Sequence, residues 1–361
     1  MALSPTCDLA VLGSGPGAAA AARRGVDLGL RTAQVAGAWR LAGPGRFIAT
    51  GAGGGPALVV AGRIVLAAES RPVALAGATV DGHRFLDGRG RFTAGSRLPS
   101  VVVVGGGAAG LEWATACAAA GARVTLVEMS GRLLPEAEPA IAQAVLDGLG
   151  RAGVAVRTAT RAIRAAPAGA GVTCKVLDLA ARTEATLAAA ALVIAIGRRP
   201  KTRDLGLETV TVETDRFGHL LVDANQETAT HGLYAIGDMV SPRVAEAADR
   251  EAVQAVDHAA GRPRRPIRYR EIPRCLATEP PVAMVGLSAE QARLEGHLVS
   301  ERRVGLSASA APDGRGAEDG FAIACLDAES GRPLGVQVVG PRAPERLEAI
   351  QAALAAARPG A

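Results

Sequence analysis

Near its middle, the chain reads Val101-Val-Val-Val104-Gly105-Gly-Gly107-Ala-Ala-Gly110-Leu-Glu112. The unbroken apolar run before the glycines predicts a buried strand of a parallel sheet. An alanine-rich helix is expected over residues 111–120, then a strand over residues 124–127 that leads to Glu128. Glycines in such a strand–turn–helix unit allow a tight turn, close approach of a pyrophosphate and packing of the helix on the strand. We therefore predict a dinucleotide site with Glu128 as the ribose acceptor and three loop glycines, Gly105, Gly107 and Gly110.

A second copy of this pattern opens the chain. Residues 8–12 predict a strand, and the loop Gly13-Ser-Gly15-Pro-Gly17-Ala18 leads to a helix over residues 19–28 and a strand over residues 30–35. Alanine in the third loop position is compatible with the pattern. No acid follows the second strand, so charge-assisted hydrogen bonds of about 1.5–3 kcal/mol each are lost. A second, weaker dinucleotide site is predicted at Gly13, Gly15, Gly17 and Ala18.

The composition is that of a globular protein with two or three domains. The chain has 361 residues, of which 49% are hydrophobic, and a mean hydropathy of +0.21. No apolar run approaches the ~20 residues that cross a bilayer, so no membrane contact is expected. The net charge of +5 comes mainly from arginines spread along the chain, dense only over residues 262–270. Prolines break that segment and aromatic residues for base stacking are scarce, which argues against nucleic-acid binding.

The cysteines and the start of the chain indicate the compartment. The five cysteines are far apart, and no two have the spacing of a redox pair or a zinc knuckle. We interpret each as a small buried hydrophobic residue, and no metal site is predicted. The N-terminus lacks a basic region followed by a cleavage site, so a signal peptide is not expected. These features predict a cytoplasmic protein.

The remaining patterns predict further strands and helices. A β-meander with glycine turns is expected over residues 46–50, 56–60 and 63–67, followed by a polar connection over residues 81–97. A proline-rich segment over residues 262–274 predicts a domain boundary. Other strands are predicted at residues 153–157, 172–179, 187–196, 282–285, 321–326 and 334–339, and helices at 136–152, 243–260, 288–294 and 344–357.

Taken in order, these motifs resemble the pyridine nucleotide–disulfide oxidoreductases, specifically the lipoamide dehydrogenase branch, nearly from end to end. The first glycine loop resembles the family's FAD loop, and the second, with Glu128, resembles its nicotinamide-dinucleotide site. The other matching segments are residues 67–72 (Ala-Ala-Glu-Ser-Arg-Pro), 196–200 (Ile-Gly-Arg-Arg-Pro), 234–238 (Tyr-Ala-Ile-Gly-Asp) and 278–287, which resembles the start of the dimer-interface domain.

The resemblance implies two cofactors, FAD and NAD, and adds cofactor-binding residues. Asp238, after Gly237, would meet the ribityl chain of FAD, although a cap of the next helix is an alternative role for it. The amides of Val244 and Ala245, at the start of that helix, would face the flavin. Glu128 would favour NADH over NADPH because a carboxylate repels a 2′-phosphate. The other implied cofactor-site residues are Gly197 and Glu112, and Glu112 has the alternative of a solvated helix residue.

One substitution and several missing parts set the chain apart from the family pattern. Glu69 stands where the family has glycine near FAD, and because a desolvated carboxylate beside a pyrophosphate is unfavourable, we expect it to face solvent. The family's Cys-x4-Cys pair, the lysine after it and the C-terminal His-x4-Glu motif have no counterpart here. Thiol–disulfide exchange requires a thiolate and a disulfide. Oxidation of dihydrolipoamide is therefore not expected, and no catalytic residue is assigned.

The predicted fold is α/β, with two nested Rossmann-like domains that carry β-meanders and an α+β C-terminal dimerisation domain. The FAD-binding domain is expected at residues 1–99 and 220–261, the NAD-binding domain at 100–219 and the dimerisation domain at 262–361, in a homodimer. The leading functional hypothesis is a diaphorase-like FAD-dependent NAD(P)H oxidoreductase that passes electrons to a small-molecule or protein acceptor. The alternative is a degenerate, non-catalytic paralogue, a dimeric NAD-binding or scaffold protein. A third possibility, a non-redox enzyme with a substrate on the flavin face, has no positive support in the sequence.

Overall fold

The structure is a computed structural model that describes residues 6–50, 55–90, 98–241, 245–262, 265–307 and 318–356. The strands are β1 Cys7–Gly13, β2 Thr32–Val35, β3 Trp39–Leu41, β4 Arg46–Thr50, β5 Pro56–Ala67, β6 Ser70–Pro72, β7 Phe85–Asp87, β8 Ser100–Val104, β9 Arg123–Val127, β10 Ala155–Arg157, β11 Thr160–Ala168, β12 Gly171–Asp178, β13 Glu184–Ala189, β14 Ala191–Ile194, β15 Arg198–Pro200, β16 Leu233–Ala235, β17 Arg274–Leu276, β18 Val282–Gly286, β19 Val299–Ser307, β20 Glu318–Asp327 and β21 Pro333–Val339. The helices are α1 Pro16–Asp27, α2 Ala108–Ala119, α3 Pro139–Arg151, α4 Ala248–Ala259, α5 Ala289–Leu294 and α6 Ala343–Ala356.

The chain divides into two compact units, each made of two segments. Unit 1 comprises Met1–Arg71 and Arg198–Ile272, and unit 2 comprises Pro72–Gly197 and Pro273–Ala361. Residues 72–99, expected in the FAD-binding domain, thus cluster with unit 2, and residues 198–219, expected in the NAD-binding domain, cluster with unit 1. The cause is strand pairing: β7, inside the expected polar connection, pairs in parallel with β14.

Unit 1 is built on a sheet in the order β2-β1-β5-β4-β3, with β16 also paired to β5. The strands β2, β1, β5 and β16 run parallel, as the glycine-loop pattern predicts, while β3 and β4 are antiparallel and form the meander. Leu9, Val11 and Val65 are fully buried beneath α1 and α4, in one cluster with residues of both helices. This sheet places the Gly13–Ala18 loop at the carboxyl end of β1.

Two predicted strands of the meander are a single strand in the structure. The segments 56–60 and 63–67 are continuous in β5, and the glycine between them, Gly62, lies within the strand rather than in a turn. A Cβ on Gly62 would lie 2.9 Å from the carbonyl oxygen of Asp8. The residue is therefore needed for the close approach of β1, and reading it as a turn signal was wrong. The expected turn around residues 51–54 lies outside the described residues.

Unit 2 contains a five-stranded parallel sheet in the order β10-β9-β8-β14-β7. All five residues of β8 are buried, as the apolar run predicts. An antiparallel sheet, β11-β12-β13, and a second five-stranded antiparallel sheet, β17-β18-β21-β20-β19, belong to the same unit. The latter carries α5, where Ser288 and Gln291 form the predicted reciprocal cap.

Several element predictions need correction. The predicted strand 187–196 is two strands, β13 and β14, which belong to different sheets and are separated at Ala190. The apolar pattern cannot show this break because both strands are partly apolar. The strands that were not predicted from the sequence are β3, β6, β7, β11, β15, β17 and β19. The helix expected from residue 243 is a short 3-10 turn, Ala245–Ala247, followed by α4.

No helix in the described ranges is both long and apolar enough to cross a membrane.

Candidate functional site

The glycine loop of unit 2 combines two crowded glycines with an open one. A Cβ on Gly105, whose φ is +115°, would lie 2.3 Å from the carbonyl oxygen of Ala195, and one on Gly110 would lie 1.9 Å from that of Gly105. These two glycines therefore permit the turn and the packing of α2. A Cβ on Gly107 would meet no protein atom within 4 Å. The space in front of α2 is thus open.

The start of α2 offers hydrogen-bond donors to that space. Gly107 is the N-cap, and no side chain caps the helix there. The first amides of a helix have no partners within it and carry the positive end of the helix dipole. A phosphate group is a suitable acceptor at such a position, so the shape and the donor set both fit a dinucleotide pyrophosphate.

Glu128 lies beside the same loop, at the end of β9. Its carboxylate accepts hydrogen bonds from the backbone amides of Gly106, at 2.5 Å, and Ser130, at 2.6 Å. These two bonds hold a negative charge next to the glycine loop, in the place that the sequence interpretation assigns to the ribose acceptor. Glu112 instead accepts a hydrogen bond from the amide of Ala277 at 2.9 Å. In this structure it connects α2 to the residue after β17.

The loop of unit 1 repeats this arrangement. A Cβ on Gly13 would lie 2.1 Å from the carbonyl oxygen of Ala67, so only glycine permits β5 to pass this close. Gly15, with φ +99°, again has no protein atom near the position of a Cβ. Gly17 packs against Ala248 of α4, and Ala18 is buried. The open position at Gly15 and the uncapped start of α1 fit a second pyrophosphate.

Asp238 is held by side chains from two other segments of unit 1. The Ser70 hydroxyl donates to its carboxylate at 2.5 Å, and Arg198 donates to the Ser70 hydroxyl at 2.6 Å and to the Ser70 carbonyl oxygen at 2.8 Å. The N-cap of α4 is Ala247, so Asp238 does not cap that helix. The three matching motifs of the sequence, around Ser70, Arg198 and Asp238, therefore meet at one place.

Glu251 is a buried acid that the sequence interpretation missed. It is 1% exposed, and its carboxylate accepts from the amide of Gly237 at 2.6 Å. Burial raises the pKa of Glu251, while the hydrogen bonds from Gly237 and Tyr269 oppose that shift. The residue fixes the turn that carries Asp238. Its signal in the sequence is a charge at helical spacing between two buried alanines, four residues after Ala247 and four before Ala255.

Glu69 is partly exposed, as expected, but it is also bonded to the first glycine loop. The Ser14 hydroxyl donates to its carboxylate at 3.1 Å, and the Lys201 ammonium lies 2.8 Å from its other oxygen. The sequence interpretation did not identify Ser14 or Lys201. One acidic and one basic side chain, Glu69 and Lys201, therefore lie at the entrance to the loop.

The other predicted site residues are placed as follows. Gly197 has φ +101°, and its carbonyl oxygen accepts from the amide of Val73 at 2.9 Å. Ala245 begins the 3-10 turn before α4. Val244 lies outside the described residues.

The cysteines are free thiols. Four are buried and one, Cys275, is exposed. Burial raises the pKa of Cys117 and of Cys174 to about 11, so the reactive thiolate form is disfavoured at neutral pH. Across the described ranges, no three potential metal-ligating acids, histidines or cysteines lie close enough together to hold a metal ion.

A cleft of about 850 Å³ lies elsewhere in unit 1, between α4 and residues 265–271. Its walls include Arg250, Gln254 and Arg268, and none of the predicted cofactor residues. Arg268 already pairs with Glu271 at 3.0 Å. We therefore locate the candidate site at the glycine loops, which have the open positions and the donors, rather than at this cleft.

The fold has two Rossmann-like sheets, each with a glycine loop, and a C-terminal antiparallel sheet. These features are typical of proteins with two dinucleotide-binding domains. A family model described as "Pyridine nucleotide-disulphide oxidoreductase" matches residues 42–259, and the model of the same family's dimerisation domain matches residues 272–358. The chain belongs to the pyridine nucleotide–disulphide oxidoreductase family. The resemblance inferred from the sequence and the predicted fold class are thereby confirmed.

Individual relatives agree with this assignment. The chain is 32% identical to dihydrolipoyl dehydrogenase 3 of Pseudomonas putida, over 85% of this chain and 66% of that protein. It is 34% identical to dihydrolipoyl dehydrogenase 3 of Pseudomonas aeruginosa, over 96% of this chain and 74% of that protein. Among solved structures, LpdA from Mycobacterium tuberculosis is similar, with a TM-score of 0.77 and 28% identity over 94% of this chain and 74% of that one. The chain thus spans about two thirds to three quarters of the length of these proteins.

Proposed function

We propose that the protein is an FAD-dependent NADH oxidoreductase of the diaphorase type, which uses a non-thiol electron acceptor. The observation that carries the proposal is the pair of open loop positions, Gly15 and Gly107, each at the uncapped start of a helix. When bound, FAD would accept a hydride from NADH and pass two electrons to the acceptor. The chain has no cysteine between Cys7 and Cys117, which argues against a thiol relay next to the first loop.

The residues of unit 1 would bind and orient FAD. The amides at the start of α1 would hold the pyrophosphate, and Asp238, held by Ser70, would accept from a hydroxyl of the ribityl chain. Glu251 would keep the turn at Gly237 in place. The amides of the 3-10 turn that includes Ala245 would face the flavin, where reduction adds negative charge.

The residues of unit 2 would bind NADH. The start of α2 would hold its pyrophosphate, and Glu128 would accept from a ribose hydroxyl. Because two amides fix this carboxylate beside the loop, a 2′-phosphate there would be repelled. We therefore propose a preference for NADH over NADPH. We also propose that the protein acts in the cytoplasm as a homodimer through residues 272–358, the segment matched by the dimerisation model.

The test is an absorbance measurement on the purified protein supplied with FAD. We expect a bound flavin spectrum that NADH bleaches under anaerobic conditions, with dyes or quinones restoring it. Dihydrolipoamide, which requires a disulfide, should leave the spectrum oxidised. A bound flavin that NADH does not reduce would exclude the proposed activity.

A second candidate is a non-catalytic relative that binds NAD only. It is favoured by the absence of an acid after β2 and by the position of Glu69 at the first loop. Titration of the flavin-free protein with FAD and NADH separately discriminates between the two candidates. Micromolar binding of NADH without any binding of FAD would select the second.

A further inference from the structure

The carboxylate of Glu69 is fixed across the entrance of the first glycine loop. One oxygen accepts from the Ser14 hydroxyl, within the loop, and the other pairs with Lys201. The backbone strengthens this connection, because the amide of Lys201 donates to the carbonyl oxygen of Glu69 at 2.9 Å. Both side chains are about half exposed, 53% for Glu69 and 52% for Lys201. The ion pair therefore stands where solvent and a ligand can both reach it.

The backbone on either side of Glu69 is held close to the loop by packing and hydrogen bonds. Two residues earlier, the carbonyl oxygen of Ala67 packs against Gly13 so closely that no Cβ fits between them. One residue later, Ser70 is buried and bonded to Asp238 and Arg198. The side chain of Glu69, by contrast, is about half exposed to solvent.

The Glu69 carboxylate has the same sign of charge as the ligand that the loop would bind. The start of α1 attracts anions, and a carboxylate bonded to Ser14 already places one there. The pyrophosphate of FAD is also anionic, so the two groups would repel each other at the loop. Lys201 can offset one negative charge, either that of the Glu69 carboxylate or that of a phosphate group of FAD.

We propose that Glu69 and Lys201 form a latch over the Gly13–Ala18 loop that competes with FAD for the loop. Binding of the FAD pyrophosphate requires the Glu69 carboxylate to leave Ser14, and Lys201 then exchanges this carboxylate for a phosphate oxygen. This inference rests on the proposed function only in taking FAD as the ligand of the first loop. The latch lowers the affinity of the protein for FAD and makes it dependent on salt.

The experiment measures FAD affinity by quenching of flavin fluorescence on titration of the flavin-free protein. Glu69→Gln and Glu69→Gly should lower the Kd of FAD roughly tenfold, which corresponds to about 1.4 kcal/mol, with a smaller gain at high salt. The matched control is Glu184→Gln, which removes an acid from a Glu–Lys pair of similar exposure, with Lys175, in unit 2. This control should leave the Kd unchanged.

A second pair of variants tests the exchange of partners. In the Glu69→Gln background, Lys201→Met should raise the Kd of FAD about tenfold, because the phosphate then loses its cation. Equal affinities of the wild type and both Glu69 variants would overturn the latch while leaving an NADH-reducible flavin, and hence the proposed function, intact. Failure of every variant to bind FAD would overturn both. Binding by the Glu69 variants without reduction by NADH would support the latch and exclude only the proposed activity.

Discussion

Single glycines have different roles within one loop of this protein. Gly105 and Gly110 are required by contacts inside the protein, since a side chain at either position would collide with a backbone oxygen. Gly107 has no such neighbour, and its φ of −82° is open to any residue. Contacts within the protein therefore do not require this glycine, whereas the proposed pyrophosphate in front of α2 would, and substitutions can separate the two effects.

Gly107→Ala should weaken NADH binding at least tenfold and leave the fold intact. The added methyl group enters the space in front of α2 and touches no protein atom. Loss of stability should be about 1 kcal/mol, the typical cost of replacing a preferred N-cap residue by alanine. Fluorescence titration with NADH and urea unfolding measure the two effects.

The matched control is Gly110→Ala, where the same methyl group would lie 1.9 Å from the carbonyl oxygen of Gly105. Overpacking of this kind costs about 1–3 kcal/mol, so this variant should lose stability. If Gly107→Ala binds NADH as tightly as the wild type does, the space in front of α2 is not the pyrophosphate site.

Glu251 should make stability depend on pH. Because burial raises its pKa in the folded protein above the ordinary value of about 4.3, the folded state holds its proton more tightly than the unfolded state does. The resulting stabilisation is fully present below pH 4.3 and is lost as pH rises through the raised pKa. The wild type should therefore lose stability relative to Glu251→Gln on going from pH 4.5 to pH 8. Urea unfolding of both proteins measures this difference, and a pH-independent difference would contradict the assignment.

Among the elements, β5 links two kinds of sheet. Residues 56–60 pair antiparallel with β4, and residues 61–67 pair parallel with β1. The strand can continue through both because Gly62 lets the backbone of Asp8 approach closely. Since the end of β5 packs on Gly13, this continuity also positions the first glycine loop and the residues of the latch.

Gly62→Ala should destabilise the protein by about 1–3 kcal/mol, because its Cβ would lie 2.9 Å from a backbone oxygen in the neighbouring strand. Gly305→Ala is the control: it also lies within a strand, β19, but has no atom within 4 Å of the Cβ position. This second variant should stay within about 0.5 kcal/mol of the wild type. Equal urea midpoints of the two variants would show that the approach of β1 to β5 does not require glycine.

In the whole molecule, the C-terminal sheet shares a core with the central parallel sheet. Ile141 of α3, Met284 of β18 and Val339 of β21 belong to one buried cluster with Val101 of β8. Polar contacts strengthen the connection. The buried carboxylate of Glu138 accepts a hydrogen bond from the backbone amide of Ala289 at 2.6 Å. The backbone amide of Glu138 donates to the side-chain oxygen of Gln337. The two parts of unit 2 therefore depend on each other.

Hydrogen exchange should show this dependence. In increasing urea, the amides of β8 and β9 should lose protection at the same concentration as those of β18 and β21, because one core stabilises all four strands. Mass spectrometry of the exchanged peptides measures this. The strands of unit 1 need not follow the same transition. Exchange of β18 and β21 while β8 and β9 stay protected would show an independent C-terminal domain.

The motifs that depend on local sequence were predictable. Both glycine loops, the buried strand β8, the cap at Ser288 and the C-terminal helix follow from patterns of a few neighbouring residues. The division between β13 and β14 was not predictable, because it depends on which sheet each strand joins. Glu251 escaped notice for a similar reason, since its partner, Gly237, lies 14 residues away.

The sequence by itself determined the family, the fold class and the two glycine loops with Glu128, because these depend on residue type and spacing over short stretches. Only the tertiary structure decided that β5 is continuous, that residues 72–99 belong to unit 2 and that Glu69 meets Ser14 and Lys201. Ser14 lies 55 positions before Glu69 along the chain, and Lys201 lies 132 positions after it. Contacts over such separations arise from the pairing of strands that are distant in sequence, such as β6 with β15, which local patterns of hydrophobicity do not encode.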